Sequence, residues 1–342
     1  MTTWYGYSGG KLAKAAAGSP VEVVVAPEPD EIQELVKRYG IDLHDLHSAL
    51  DPDELARVES ETDHLVLILK LPCNYTGEGK LLFTVTSVGM FLFKSRLLVV
   101  SPNEVEFSGD KVMHAVKDVR DVMLKIMYGI IDHFLGHLKV INMLSESLEK
   151  RMTESMGNRY LMDMFALEKS LVYFVNGLSS NQVVFEKLVL ETNKVRLKLT
   201  KARFDILEDV VTENRQCQKQ AEIYSDILMG LMGAHASVVN NNISLLMKRL
   251  TVISIVFMPL NVVAGMGGMS EFSNWTSGVP WYLAYGIFLV SLVPLSFLTY
   301  LILKRSGIDR GESETLKRTA MLRSLPRIPG RDRPKRRKGD IK

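Results

Sequence analysis

The chain has 342 residues, 46% of them hydrophobic and 24% charged, with a net charge of +3. That length holds two or three domains, and that balance fits a water-soluble part joined to a small membrane part. No phosphate loop, dinucleotide fingerprint or nucleophile triad is present, so nothing points to an enzyme.

The charge is unevenly spread. Residues 304–342 hold fourteen Lys and Arg against five Asp and Glu, which leaves the rest of the chain net acidic. The two cysteines, Cys73 and Cys217, lie far apart and in no CxxC pair. This argues for a reducing compartment and against a disulfide framework or zinc ribbon.

Residues 1–25 are small and rich in Gly and Ala, and are expected to be a loose N-terminus; Met1–Pro20 lacks an apolar core of leader length, so no cleaved leader is expected. A helical pattern runs from Pro29 to Leu50, broken at Gly40. The continuous apolar run His64–Lys70 reads as a buried strand. Leu81–Val88 is expected to be a second, with Phe91–Lys94 and Arg96–Val100 as a third and fourth. Helix followed by strands makes an α/β or α+β domain over residues 26–110. Strand signals then stop. Val119, Val122, Met123, Ile126, Ile130 and Phe134 recur at helical spacing, and a break at Ser155–Asn158 divides residues 111–192 into two long antiparallel arm helices. A third helix is expected from near Asn193 to residue 269, too long to stand unbundled.

No charge occurs between Arg249 and Glu271, and those 21 residues span roughly 31 Å as a helix, one hydrocarbon core. A second uncharged run covers Trp281–Leu303. Residues 270–280 form the loop of the resulting hairpin. Lys248 and Arg249 precede the first span, Lys304 and Arg305 follow the second, and the loop has no basic residue. The positive-inside rule then puts both termini in the cytoplasm. The basic tail, 304–342, directly follows a span, so it suits anionic lipid rather than nucleic acid.

One stripe of the third helix stands out. Asp226, Gly230, Gly233, Ser237, Asn240, Ser244, Met247, Thr251, Ser254, Met258, Asn261, Gly265 and Gly268 follow the 3-4 spacing of a supercoil seam, and all are polar, small or methionine. Two readings fit. Small residues on a membrane helix are a common packing surface. Alternatively, several copies arranged as a ring would turn each seam position into a ring of side chains around a pore, with hydroxyls and an amide meeting the water shell of a cation. Mg²⁺ dehydrates reluctantly and suits such neutral oxygens. Neither span contains Cys or His, which favours Mg²⁺ over Zn²⁺ as the transported ion.

At this point the residues resemble a family. Met247-Lys248-x-Leu250-Thr251, Phe257-Met258-Pro259-Leu260 and Ala264-Gly265-x-x-Gly268-Met269 are similar to the first membrane helix and signature of the CorA metal-ion transporters. Glu208-Asp209-Val210 and Tyr224-x-Asp226-Ile227-Leu228 resemble the family's stalk. The resemblance implies an α+β cytoplasmic domain, long helical arms and a stalk helix continuing into a two-helix transmembrane hairpin, together a CorA-like funnel. It further implies a homopentamer in the plasma or bacterial inner membrane, lipid and divalent cations as partners, no cofactor, and a pore lined by Ser244, Met247, Thr251, Ser254, Met258, Asn261 and Gly265. The family's outer-mouth Gly-Met-Asn is here Gly268-Met269-Ser270, followed by Glu271, and Asn261 stands where the family usually has threonine. The regulatory cytoplasmic metal of the family would fall on Asp209 with Glu78. Ser277-Gly278-Val279-Pro280 slightly resembles the zinc-transporting, ZntB-like branch, which stays open as an alternative, as does a metal-responsive scaffold without transport. Finally, His133-x3-His137 has the spacing of a zinc pair but no evident third ligand, and His44-x2-His47 is of the same kind.

Overall fold

The computed structural model describes residues 1–8, 10–73, 81–104, 116–154, 158–191 and 199–305. It divides into two compact units, Met1–Ser237 and Val238–Lys342.

The first unit is built on a seven-stranded sheet. In chain order the strands are β1 (Thr2–Ser8), β2 (Lys11–Lys14), β3 (Val21–Val25), β4 (Arg57–Ser60), β5 (Leu65–Pro72), β6 (Val85–Leu92) and β7 (Leu97–Ser101). Their order across the sheet is β2-β1-β3-β7-β6-β5-β4, with β3 and β7 parallel and every other pair antiparallel. Helices α1 (Pro29–Tyr39) and α2 (Leu43–Leu50) follow β3; α3 (Val119–Glu154), α4 (Asn158–Glu191) and α5 (Lys201–Gly267) follow the sheet.

The expectation of a loose N-terminus is corrected. Residues 2–25 supply three strands, and β3 pairs with β7 in the middle of the sheet. The signal was the Thr-Thr-Trp-Tyr start of β1 and the Val-rich β3, which small neighbours masked. The second and third expected strands are largely one: β6 runs through Gly89 to Leu92, and the chain reverses where the Phe93 amide donates to the Arg96 carbonyl. The helical pattern from Pro29 does break at Gly40, which ends α1 in a left-handed conformation. Residues 155–157 and 192–198, where the arm break and the start of the third helix were expected, lie outside the described residues.

Alternation along β5 explains its unbroken apolar run. Leu65, Leu67, Leu69 and Leu71 join the cluster formed with α3 and α4, whereas Val66 and Ile68 face α1 and α2 with Leu46 and Ala49. A sheet buried on both faces leaves no polar alternation to read. Lys70 is the exception. Its ammonium donates to the Pro52 carbonyl at 2.7 Å and the Ser87 hydroxyl at 3.0 Å, while its backbone is clamped by the Asn181 amide of α4 at 2.7 and 2.8 Å. Burial pushes the Lys70 pKa down, opposed by nearby Asp51, Asp53 and Glu54.

Gly89 marks a close approach of helix to sheet. A Cβ there would sit 2.4 Å from the Ala49 Cβ and 3.1 Å from the Phe91 ring. The methyl of Ala49 cannot turn aside, so α2 must lift. Gly89→Val is expected to destabilise the first unit by about 2–3 kcal/mol, read as a lowered urea midpoint in the purified protein.

Along α5, Leu207, Val210, Asn214, Cys217, Ala221 and Leu228 are buried in the first unit at 3-4 spacing, the stripe expected of a helix packed on helices. Asn214 donates to the Leu178 carbonyl and the Gln182 side chain of α4, at 2.9 and 2.8 Å. Arg203, near the start of α5, forms a two-pronged bond with Asp121 of α3, at 2.6 and 3.1 Å.

The second unit contains the rest of α5, the short helix α6 (Ser270–Trp275) and α7 (Trp281–Arg305). Two stretches here, the end of α5 and Trp281–Leu303, are long and apolar enough to cross a membrane. Large apolar side chains such as Leu250, Phe257, Val262, Leu289, Val290 and Val293 are exposed along them, as a lipid-facing or subunit-facing surface requires.

Candidate ion pathway

The seam identified in the sequence lies on α5, a single helix of 67 residues that carries Pro259 without ending. At about 1.5 Å per residue it is roughly 100 Å long. Every seam position from Asp226 to Gly268 is exposed in the single chain. Ser244, Met247, Thr251, Ser254, Met258, Asn261 and Gly265 therefore share one uncovered stripe.

A different stripe meets α7. Val252, Val256, Leu260 and Val263 are partly covered, and Gly267 is buried. The Phe288 ring lies over Gly267, so that a Cβ there would be 2.5 Å from the ring tip, and the Tyr285 hydroxyl donates to the Gly267 carbonyl at 3.4 Å. Phe272 of α6 closes against both rings, with centroids 5.6 Å from Tyr285 and 5.1 Å from Phe288. The hairpin is thus closed by an aromatic group seated on a glycine. Alanine could be met by a turn of Phe288, but leucine could not. Gly267→Leu is expected to splay the spans and lower the detergent-solubilised protein's unfolding temperature, by about 2 kcal/mol of lost packing.

The seam hydroxyls have a defined orientation. Ser237 donates to Gly233, Ser244 to Asn240 and Thr251 to Met247, each to the carbonyl one turn back, at 3.0, 2.9 and 2.8 Å. The proton is thereby committed to the helix, and the oxygen presents acceptor capacity to the exposed side. Asn261 is exposed on the seam and also borders the apolar groove between α5 and α7, with Leu260, Ala264, Leu289 and Val293.

Beyond the end of the seam, part of the expected loop is helical. The amides of Gly268 and Met269 bond to the carbonyls of Gly265 and Met266, both at 3.2 Å, and Ser270 then opens α6. Residues 270–275 are helical because Met269 is extended at the N-cap and the Phe272 amide bonds back to it. The Ser270 hydroxyl donates to Glu271 at 3.3 Å, and both are exposed beside Met269.

Asp209 is exposed on α5 in the first unit. It lies near Glu213 of α5 and Asp132 of α3 around Tyr128, whose phenol is pushed up by burial and then by those three carboxylates. Glu78 lies outside the described residues, and among the described residues no group of three His, Cys, Asp or Glu side chains converges as a metal site.

The geometry has relatives. A family model for the CorA-like Mg²⁺ transporter protein matches residues 23–305. The chain belongs to that family. The cobalt/magnesium transport protein CorA of Methanocaldococcus jannaschii is 26% identical over 253 residues, covering 71% of this chain and 77% of that one. The complete structure of the CorA magnesium transporter from the same organism superposes with a TM-score of 0.72 at 21% identity, over 90% of this chain and 98% of that one. The cytoplasmic domain of ZntB from Vibrio parahaemolyticus matches with a TM-score of 0.52 at 11% identity, over 71% and 97%. The fold is the CorA fold: an α+β sheet domain, long helices and two apolar helices near the C-terminus. This CorA-type protein is a membrane transporter of divalent cations, not an enzyme.

Proposed function

We propose that this CorA-family protein passes Mg²⁺ through a homopentameric pore whose wall is the exposed seam of α5. One observation carries the reading. In the membrane half of α5, the residues turned toward α7 are mostly apolar, and the seam is the one polar stripe among otherwise apolar exposed positions such as Leu250, Phe257 and Val262. A polar stripe abandoned to lipid would be unfavourable, and a ring of five copies, the number that the family resemblance implies, would turn it toward a shared aqueous axis. Rings of Ser244, Thr251, Ser254 and Asn261 would contact the ion through its water shell, and rings of Met247 and Met258 would narrow the path without holding it. Gly268, Met269, Ser270 and Glu271 would form the mouth where the ion is first met. With no Lys or Arg between the spans, the mouth faces outward and both termini face the cytoplasm.

Mg²⁺ is favoured over Zn²⁺ because the seam offers hard neutral oxygens and no Cys or His. The test is purified protein in liposomes with an entrapped fluorescent Mg²⁺ indicator. An inward signal under a Mg²⁺ gradient is expected. Absence of any Mg²⁺ or Zn²⁺ signal at every gradient applied would remove the transport reading.

A further inference from the structure

His133 and His137 lie one turn apart on α3, within the first unit. Their Nε2 atoms approach to 3.0 Å, with ring centroids 4.7 Å apart and planes inclined by 31°. The His137 ring is held by aromatic neighbours on two sides, Phe83 edge-on at 5.2 Å and Phe174 at 6.1 Å. Burial, then the neighbouring His133, pushes the His137 imidazole down to about 4, so the ring is neutral near pH 7.

Two arrangements bring two imidazole nitrogens this close, a hydrogen bond between the rings or a shared metal ion. In a linear N–H···N hydrogen bond each centroid lies about 1.2 Å behind its nitrogen, which would set the centroids about 5.3 Å apart. Two metal–nitrogen bonds of about 2.05 Å meeting at about 95° would set the nitrogens about 3.0 Å and the centroids about 4.7 Å apart. The observed pair matches the bite of the second arrangement, and a bent N–H···N hydrogen bond without metal brings the rings equally close. We propose that His133 and His137 together chelate a first-row transition dication of the Ni²⁺ or Co²⁺ class, in cis positions, with water filling the rest of the coordination sphere. The near-right angle suits octahedral or tetragonal ions over tetrahedral Zn²⁺, and imidazole excludes Mg²⁺. No third described His, Cys, Asp or Glu joins the pair, so the site stays open and exchangeable. The site is distinct from the proposed pore and does not depend on it. It would let the soluble unit respond to transition ions in the presence of Mg²⁺.

The test is a Ni²⁺ titration of the full-length protein in detergent, in a large excess of Mg²⁺ to saturate oxygen sites. The wild type is expected to bind Ni²⁺, with affinity lowered at least about tenfold in His133→Gln and in His137→Gln. Unchanged Ni²⁺ affinity in either variant would overturn the proposal and leave the pair as a hydrogen bond. Should a variant not fold, X-ray absorption at the Ni edge of the His44→Gln/His47→Gln protein, which keeps His133 and His137 and is loaded with one equivalent, counts imidazoles directly. Two support the chelate; one or none refutes it.

Discussion

Replacing Asn261 by Leu is expected to abolish cation flux while the oligomer stays intact. The two side chains share their branching and heavy-atom count, leucine being the bulkier, so the place beside Leu260 and Ala264 is kept and the main change is chemical. In a ring of copies, the substitution removes every amide contact to the ion's water shell at that level. Two lost amide–water bonds at about 1.5 kcal/mol each amount to about 3 kcal/mol, a factor of roughly a hundred in rate. Liposome flux, paired with light scattering for assembly mass, separates the outcomes. Normal flux in the variant would place Asn261 in the groove between the spans rather than in the pathway.

Arg203→Met is expected to weaken the first unit by about 2–3 kcal/mol, because it leaves a largely buried Asp121 carboxylate without its cation. The guanidinium bonds Asp121 through two nitrogens and also reaches Asp118 at 3.3 Å, while Asp121 accepts the amides of Lys117 and Asp118 at 2.9 and 3.0 Å. Burial would raise the Asp121 pKa, but the Arg203 bond and the backbone amides outweigh it and hold the carboxyl below its usual value. The sign follows directly. A carboxyl with a depressed folded pKa contributes stability above its unfolded value, about 3.9, and loses it as pH falls through the lower folded value. In Arg203→Met the depression shrinks, so the acid loss starts at a higher pH. Thermal unfolding between pH 3 and 7 (about the range that brackets carboxylate titration) reads both effects. A variant as stable as the wild type throughout would show that the clasp is incidental.

Much of this fold was legible in the sequence, and what escaped did so for identifiable reasons. The arms and spans were visible because a helical stripe or an uncharged run over twenty residues is a long signal, as at Val119–Phe134 and Trp281–Leu303. The strands β2 to β4 have only four or five residues, and the valine run of β3 does not reveal its place in the sheet: Val21–Val25 pairs in parallel with Leu97–Ser101, some seventy-five residues on. No local pattern reports a parallel pairing. The seam itself was readable, because its polarity contrasts with the apolar spans. Gly267 was not singled out: nothing in its neighbourhood distinguishes a glycine under Phe288 from Gly265 or Gly268 on the open face. Likewise the Arg203–Asp121 clasp joins residues 82 positions apart, and a solvated charge looks the same in sequence.

The hydroxyls of Ser237, Ser244 and Thr251 bear on the sign of the ion as well as its hydration. Each has given its proton to a carbonyl of its own helix. A wall made of such groups accepts hydrogen bonds and has none of these to offer. Chloride or phosphate entering it would shed solvating protons and find no replacements from these positions, whereas a cation's waters arrive as donors. At these three levels of the proposed seam a hydrated cation would be met better than an anion without any carboxylate to hold it, whereas the Asn261 amide, with two N–H donors, would discriminate less.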